Sequence, residues 1–225
     1  MNRPGDTSVR APGAKIVLGS RSPQRLQLLA GLIGEDRIEV LPPSSGDEPG
    51  FADTTDLDSV HDRLRQIALA KATDVRLQLG AQRRATGIAA VICADTVIVV
   101  TEPDGSPCVL GQPRAADWQQ QVGDWFCRYY LGQTHTAATA VCVVDGSGRV
   151  LERLVESRVT FRDVGSEWVE RYLSSGEPVG KAGGYAIQGL AGEAVERIEG
   201  STSNVVGLPV EVVAEMLSEL GIDVD

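Results

Sequence analysis

The sequence predicts a mixed α/β sheet with helices packed on it, and two patterns carry that prediction. Apolar residues recur at helical spacing in successive windows, and between those windows lie apolar or alternating runs, bounded by Gly, Pro and Asp, that read as strands and hairpins. In order they give strand, helix, hairpin, helix, hairpin, helix and hairpin. A chain of 225 residues, 42% hydrophobic and 23% charged, can bury one substantial core and suits one large domain or two closely joined lobes.

The start, MNRPGDTSVRAPGA, has no apolar signal-peptide core, so residues 1–14 read as a disordered tail before a single domain over 15–225. KIVLGS is a short strand from Lys15, followed by a helix in RSPQRLQLLAGLIG. Ser22 is a good N-cap, Pro23 suits the first turn, Leu26, Leu29 and Ile33 share a face, and Gly34 ends the helix. A strand running into a helix N-terminus makes an anion site to which Ser20, Ser22 and Arg25 can add donors, although capping alone also explains Ser22 and Pro23. After a Pro/Ser/Gly-rich connection carrying Asp47 and Glu48, residues 57–79 form a helix with Val60, Leu64, Ile67, Val75 and Leu79 on one face. Lys71 completes that i, i+4 series, and its ammonium either snorkels to solvent or points into a cleft.

The run AVICADTVIVV turns at Pro103-Asp104-Gly105 into PCVLGQP, a hairpin. Trp118, Val122, Trp125, Phe126 and Tyr129 form a helical stripe that belongs to the core. TAATAVCVV turns at Asp145-Gly146 into RVLERLVESRVTF, whose alternation suggests one wet face. Ser166 is expected to cap a helix with Trp168, Val169, Tyr172 and Leu173 inward, ending at Gly176. The last third is rich in glycine, and Pro209 starts a final helix with Val210, Val213, Leu217 and Leu220 inward.

With 21 basic and 31 acidic residues the formal charge is -10, which argues against a nucleic-acid polymer or an anionic membrane as partner. A small basic pocket gripping one phosphorylated molecule is still compatible with it. No window reaches the roughly 18 apolar residues of a membrane span. Cys93, Cys108, Cys127 and Cys142 form no C-x-x-C pair, and a reduced, cytoplasmic chain is the simplest reading. With only His61 and His135, and no Cys/His cluster, a zinc site is not expected.

Asp95 and Thr96 interrupt the most apolar strand. An ionised side chain there loses hydration worth several kcal/mol unless something pairs with it, coordinates it or lets water reach it. Either the carboxylate accepts backbone or Thr96 hydrogen bonds at a bend, or it is a metal-binding or catalytic group.

The segments LGSRSPQRLQLL, Asp47-Glu48, LAKA around Lys71, CADTVIVV, LGQP, GQTHTAATAV, VTF, GEPVGKAGGYAIQG and GSTSNVVGLP, in that order, resemble the Maf family. These are nucleoside triphosphate pyrophosphatases, also called septum formation inhibitors, and the likeness spans nearly everything from Lys15 to Leu220. It implies a two-lobed α/β fold around a deep cleft, related to the inosine triphosphate pyrophosphatases, and often a homodimer. It implies hydrolysis of a nucleoside triphosphate to the monophosphate and pyrophosphate. Glu48 and Asp95 suit a hard ion, Mg2+ or Mn2+. By resemblance Asp95 is metal ligand or general base, Lys71 and Glu48 belong to the catalytic group, and Ser20, Arg25, Lys71 and Lys181 hold the triphosphate. His135 matches a family position but reads as structural.

Thr96 and Gln188 look like the branch acting on dTTP and UTP, whereas the 7-methyl-GTP branch carries Gln and Glu there. An amide at 188 can both donate to and accept from a pyrimidine edge. Three positions depart from the family: Gln24 and Gln112 stand where an Arg and a Lys are usual, and Gly180 where an Asp is usual. Arg21 and Arg114 are candidates to replace the two missing charges. The departures keep open an alternative, a nucleotide-binding regulator of cell division with weak or no turnover.

Overall fold

In the computed structural model, which describes residues 14–46, 48–84 and 86–224, the central strands bury both of their faces. Strands β1 (Lys15–Leu18), β2 (Ile38–Val40), β3 (Ile88–Thr101), β4 (Pro107–Leu110), β5 (Thr134–Asp145), β6 (Val150–Phe161) and β7 (Val195–Glu199) form one mixed sheet. Its order is β2-β1-β3-β5-β6-β7, with β4 also on β3. β1 pairs parallel with β2 and β3, and the other pairings are antiparallel. The helices are α1 (Pro23–Ile33), α2 (Leu57–Ala81), α3 (Trp118–Trp125), α4 (Gly165–Ser174), α5 (Thr202–Val206) and α6 (Val210–Glu219).

Alternation along β3 sorts the core into layers. Ala90, Ile92 and Ala94 join Ile16 and Leu18 under α1 and α6, where Leu29, Ile33, Val213 and Leu217 pack. Val91, Cys93, Val97 and Val99 face the other way, against Val60, Leu64, Ala72 and Val75 of α2. Farther along the first face, Ile98 and Val100 enter a separate aromatic core with Phe126, Tyr130, Phe161 and Tyr172. The first and third cores are two lobes on one sheet face, and Thr96 lies at the seam between them.

The edge of β3 opposite β5 is interrupted at the same place. β1 covers it as far as Ile92, and β4 covers it from Ile98 onward. Between them, residues 93–97 have β5 on one side and no strand on the other among the described residues. A cleft opens in that gap, at Asp95 and Thr96, beside the carboxyl end of β1 where the chain order of the sheet reverses.

Most expected elements are present, with corrections. The predicted helix over 57–79 runs two residues further, to Ala81, from a capping box in which Asp56 accepts from the Ser59 N–H. The aromatic stripe packs in the third core, and its helix ends in a π-helical turn, Phe126–Tyr130. Ser166 is not an N-cap: α4 starts at Gly165, its cap position is Val164, and Ser166 lies inside the first turn. Gly176, at φ +71, does close the helix, with its N–H on the Leu173 carbonyl. No hairpin follows α4 among the described residues; instead 3-10 turns lead to the single strand β7 on β6. Residues 1–13 of the expected tail, and Asp47, lie outside the described residues. No described helix is long and apolar enough to cross a membrane.

Candidate active site

The turn from β1 into α1 forms one wall. A Cβ at Gly19 would overlap Cys93 Sγ, so only glycine lets this turn lie flat on β3. Ser20 Oγ accepts the Ser22 N–H at 3.1 Å, and Ser22 Oγ caps α1 by accepting the Arg25 N–H at 3.3 Å. Pro23 has no N–H and Ser22 takes that of Arg25, which leaves the first turn of α1 little free donor capacity for an anion.

Arg25 spends its donors on the protein. Its Nε donates to the Gly207 carbonyl at 2.8 Å, Nη1 to the Ala94 carbonyl at 2.7 Å, and Nη2 to Thr96 Oγ1 at 3.0 Å. Burial lowers its pKa from the usual arginine value, opposed chiefly by Asp95. The guanidinium therefore occupies the open edge of β3, tying it to the end of α5 and flanking Asp95 on both sides in sequence. Thr96 Oγ1 is also 2.9 Å from Thr139 Oγ1.

The other side of Asp95 faces α2. Lys71 Nζ donates to Asp95 Oδ1 at 2.6 Å and pairs with Glu48 Oε1 at 2.9 Å. Of the two readings of Lys71, the cleft-facing one is observed. Glu48 comes from a segment pinned to α2 on both sides: Asp74 accepts from the Ser44 N–H at 2.7 Å, and Arg63 reaches the Gly50 carbonyl and Asp53. Two carboxylates and one ammonium thus meet in the lining of a cleft of about 480 Å³, a volume suited to a ligand of nucleotide size. The donor set is all oxygen, as a hard divalent ion requires. Among the described residues no group of three or more His, Cys, Asp or Glu could hold a metal. Two carboxylates with phosphate and water completing the shell is an arrangement magnesium commonly uses.

The far wall is the glycine-rich segment after α4. Lys181 lines the cleft, with Nζ donating to the Glu177 carbonyl at 2.6 Å. The segment is hung on three tyrosines: Tyr130 and Tyr172 hydroxyls donate to the Gly183 and Gly184 carbonyls, and Tyr185 OH lies 2.8 Å from His135 Nε2. Gly183 and Gly184 have φ of +66 and +69, and a Cβ on either would overlap the third core. His135 is buried and burial pushes its pKa down to about 3, which agrees with a structural reading. Gln188 is exposed to the cleft from a β-turn closed by the Gly189 N–H on the Ala186 carbonyl at 3.1 Å.

Of the eight expected site residues, Arg25, Glu48, Lys71, Asp95, Thr96, Lys181 and Gln188 line this one cleft, and Ser20 sits behind it. Gln24, Gln112 and Gly180 line it as well. The two candidate replacement cations do not: Arg21 donates to the Pro43 carbonyl, and Arg114 pairs with Asp117 at 2.6 Å beside a separate cavity. Gly207, whose carbonyl anchors Arg25, was given no role from the sequence. The signal was the quoted segment GSTSNVVGLP, in which Ser201 caps α5 and the buried Asn204 holds it to the Ala137 carbonyl and Ser157 Oγ.

Fold and site together define an α/β enzyme with a small-molecule cleft. The chain belongs to the Maf family: the family model described as "Maf-like protein" matches residues 15–220. It is 37% identical over 211 residues to a protein named dTTP/UTP pyrophosphatase from Brucella abortus (strain 2308), covering 92% of each chain. It is 35% identical over 218 residues to the protein of the same name from Desulfitobacterium hafniense (strain Y51), covering 93% of this chain and 86% of the other. Among solved structures, a HAM1 protein from Coxiella burnetii aligns with a TM-score of 0.45 and 14% identity over 91% of this chain and 98% of that one.

Proposed function

We propose that the chain is a single-domain cytoplasmic pyrophosphatase that hydrolyses dTTP and UTP to the monophosphate and pyrophosphate. The observation that carries this reading is the Asp95, Lys71 and Glu48 group lining the cleft. Water attacks the α-phosphorus, the bond from that phosphorus to the α,β-bridging oxygen breaks, and pyrophosphate leaves with the electron pair. Asp95 orients the water and takes its proton. Lys71 holds Asp95 in place through its 2.6 Å contact, and it offsets charge that builds on the phosphate oxygens. Lys181 has donors to spare for the outer phosphates, while Arg25 acts mainly by fixing Ala94 and Thr96 around the base. Glu48 and Asp95 would hold Mg2+ or Mn2+, which when bound supplies Lewis-acid stabilisation of the phosphate oxygens. Gln188 reads the pyrimidine edge, donating from its amide nitrogen and accepting at its amide oxygen.

The test is pyrophosphate release from dTTP, UTP, CTP, ATP, GTP and 7-methyl-GTP with each ion. Preferential turnover of dTTP and UTP is expected, and no release from any of them would end the enzyme reading. A second reading, a nucleotide-binding regulator with weak turnover, has its own observation. Gln24 and Gln112 both line the cleft where cations are usual, and neither Arg21 nor Arg114 stands in for them. Calorimetric binding of dTTP without pyrophosphate release would favour it, and light scattering on the same sample would decide whether the protein is a homodimer.

A further inference from the structure

Gln188 projects from the turn Ala186–Gly189, whose Ile187 packs against the third core. What fixes the outgoing chain is Glu177, thirteen residues before Leu190: its Oε2 accepts the Leu190 N–H at 2.8 Å and its Oε1 the Ala191 N–H at 3.4 Å. These are the first donors of the 3-10 turn Leu190–Ala194, which follows directly on Gln188 and Gly189. The backbone of the same glutamate accepts from Lys181 Nζ, so one residue anchors both ends of the cleft wall.

Gly189 reports independently on this contact. Its φ and ψ, -109° and -153°, are extended values open to any residue, so the backbone does not demand glycine. Space bears on it instead: the three atoms nearest a Cβ at Gly189 all belong to the Glu177 carboxylate, which would have to leave its place to admit one.

We propose that Glu177 is a positioning residue for base recognition, whose carboxylate holds the turn that presents Gln188 to the nucleotide and takes the space a side chain at 189 would need. The proposal rests on the assignment of Gln188 to the pyrimidine edge. A carboxylate accepting two backbone N–H groups is a strong, directional clamp, and a turn freed of it would still reach the base, but in many orientations. The loss should fall on discrimination and on KM, with the chemistry at Asp95, across the cleft, less affected.

The experiment measures kcat and KM for dTTP, UTP and GTP, affinity for the α,β-imido analogue of dUTP, and melting temperature. The variants are Glu177→Ala, Gly189→Ala, the double variant and Gln188→Ala. Each of the first two should raise KM for dTTP and UTP about tenfold, lower the preference for pyrimidine over GTP by a similar factor, and change kcat by less than about threefold. The double variant should match either single variant, because the carboxylate that a methyl group at 189 would displace is already gone. Multiplying effects would overturn the proposal, and so would a Glu177→Ala protein that melts earlier with KM and preference unchanged. If the alanine variant does not fold, Glu177→Gln, which keeps one acceptor, replaces it: an intermediate rise in KM supports the proposal and an unchanged KM overturns it. Gln188→Ala separates the two layers of inference. If it leaves the preference unchanged, the assignment of Gln188 falls and this proposal with it; if it shifts the preference while Glu177→Ala does not, only this proposal falls.

Discussion

Lys71 donates to both Asp95 and Glu48, so neutralising Asp95 leaves the lysine one partner and the fold one intact anchor. Asp95→Asn should therefore lower kcat about 10²- to 10⁴-fold with the melting temperature little changed. Rate and melting curve measured on one preparation decide it, and near-normal activity would make Asp95 a structural group. Gln24 and Gln112 line the cleft without charge, so Gln24→Arg or Gln112→Lys should raise kcat/KM about tenfold if the new side chain reaches a phosphate. If neither raises it, the cleft needs no further cation. At this scale the sequence was legible where a side chain broke a pattern, as Lys71 broke an apolar helix face and Asp95 an apolar strand. For Arg25 the place was legible but the bonds were not, because the carbonyls of Ala94 and Gly207 that engage it are backbone groups brought in from 69 and 182 residues away.

The β1–α1 turn is the element on which the site depends most closely. Gly19→Ala would drive a methyl group into Cys93 Sγ and against Val75, costing about 1–3 kcal/mol as overpacking does. Cys93→Ala in the same chain should restore much of that loss, read by denaturant unfolding; a double variant no more stable than Gly19→Ala would show that the strain lies elsewhere. Long periodic elements such as α2 were readable because burial repeats along them. β2, with three residues, and β7, reading VERIE, were missed because neither is long or apolar enough to show alternation. The misplaced cap at Ser166 has a similar origin. A serine before an apolar stripe is a sound signal, yet α4 begins one residue earlier, at Gly165, with φ of +75 and an N–H taken by Asp163.

Across the whole molecule, the sheet and its helices were legible from apolar periodicity and the two lobes from the family resemblance, whereas the seam between the lobes was not. Periodicity tells which face of β3 is buried, but not which helices bury it or where their cover changes. The aromatic lobe carries a pH dependence of its own. His135 has a folded pKa pushed down to about 3 by burial, against an ordinary 6.5, so the folded state disfavours its protonation. Its stabilising contribution is complete above about pH 6.5 and is lost as pH falls toward 3. The melting temperature of the native protein should fall more steeply from pH 6.5 to 4.5 than that of His135→Gln, which has no imidazole to protonate; parallel curves would exclude the histidine as the cause.

The interrupted edge of β3 also sets a timescale. An antiparallel ladder engages only alternate residues on each side, and the Ala94 carbonyl, taken by Arg25, shows that Ala94 and Thr96 face the gap. Their amides lie in the middle of the sheet and yet have no strand beside them among the described residues, while neighbouring β3 amides are locked between β1, β4 and β5. In hydrogen–deuterium exchange the central strand should thus show slow protection broken by a fast window at residues 94 and 96, governed by local opening of the cleft instead of global unfolding. Nucleotide entering the cleft would slow that window first, which makes two backbone amides in the core an internal clock for occupancy of the site.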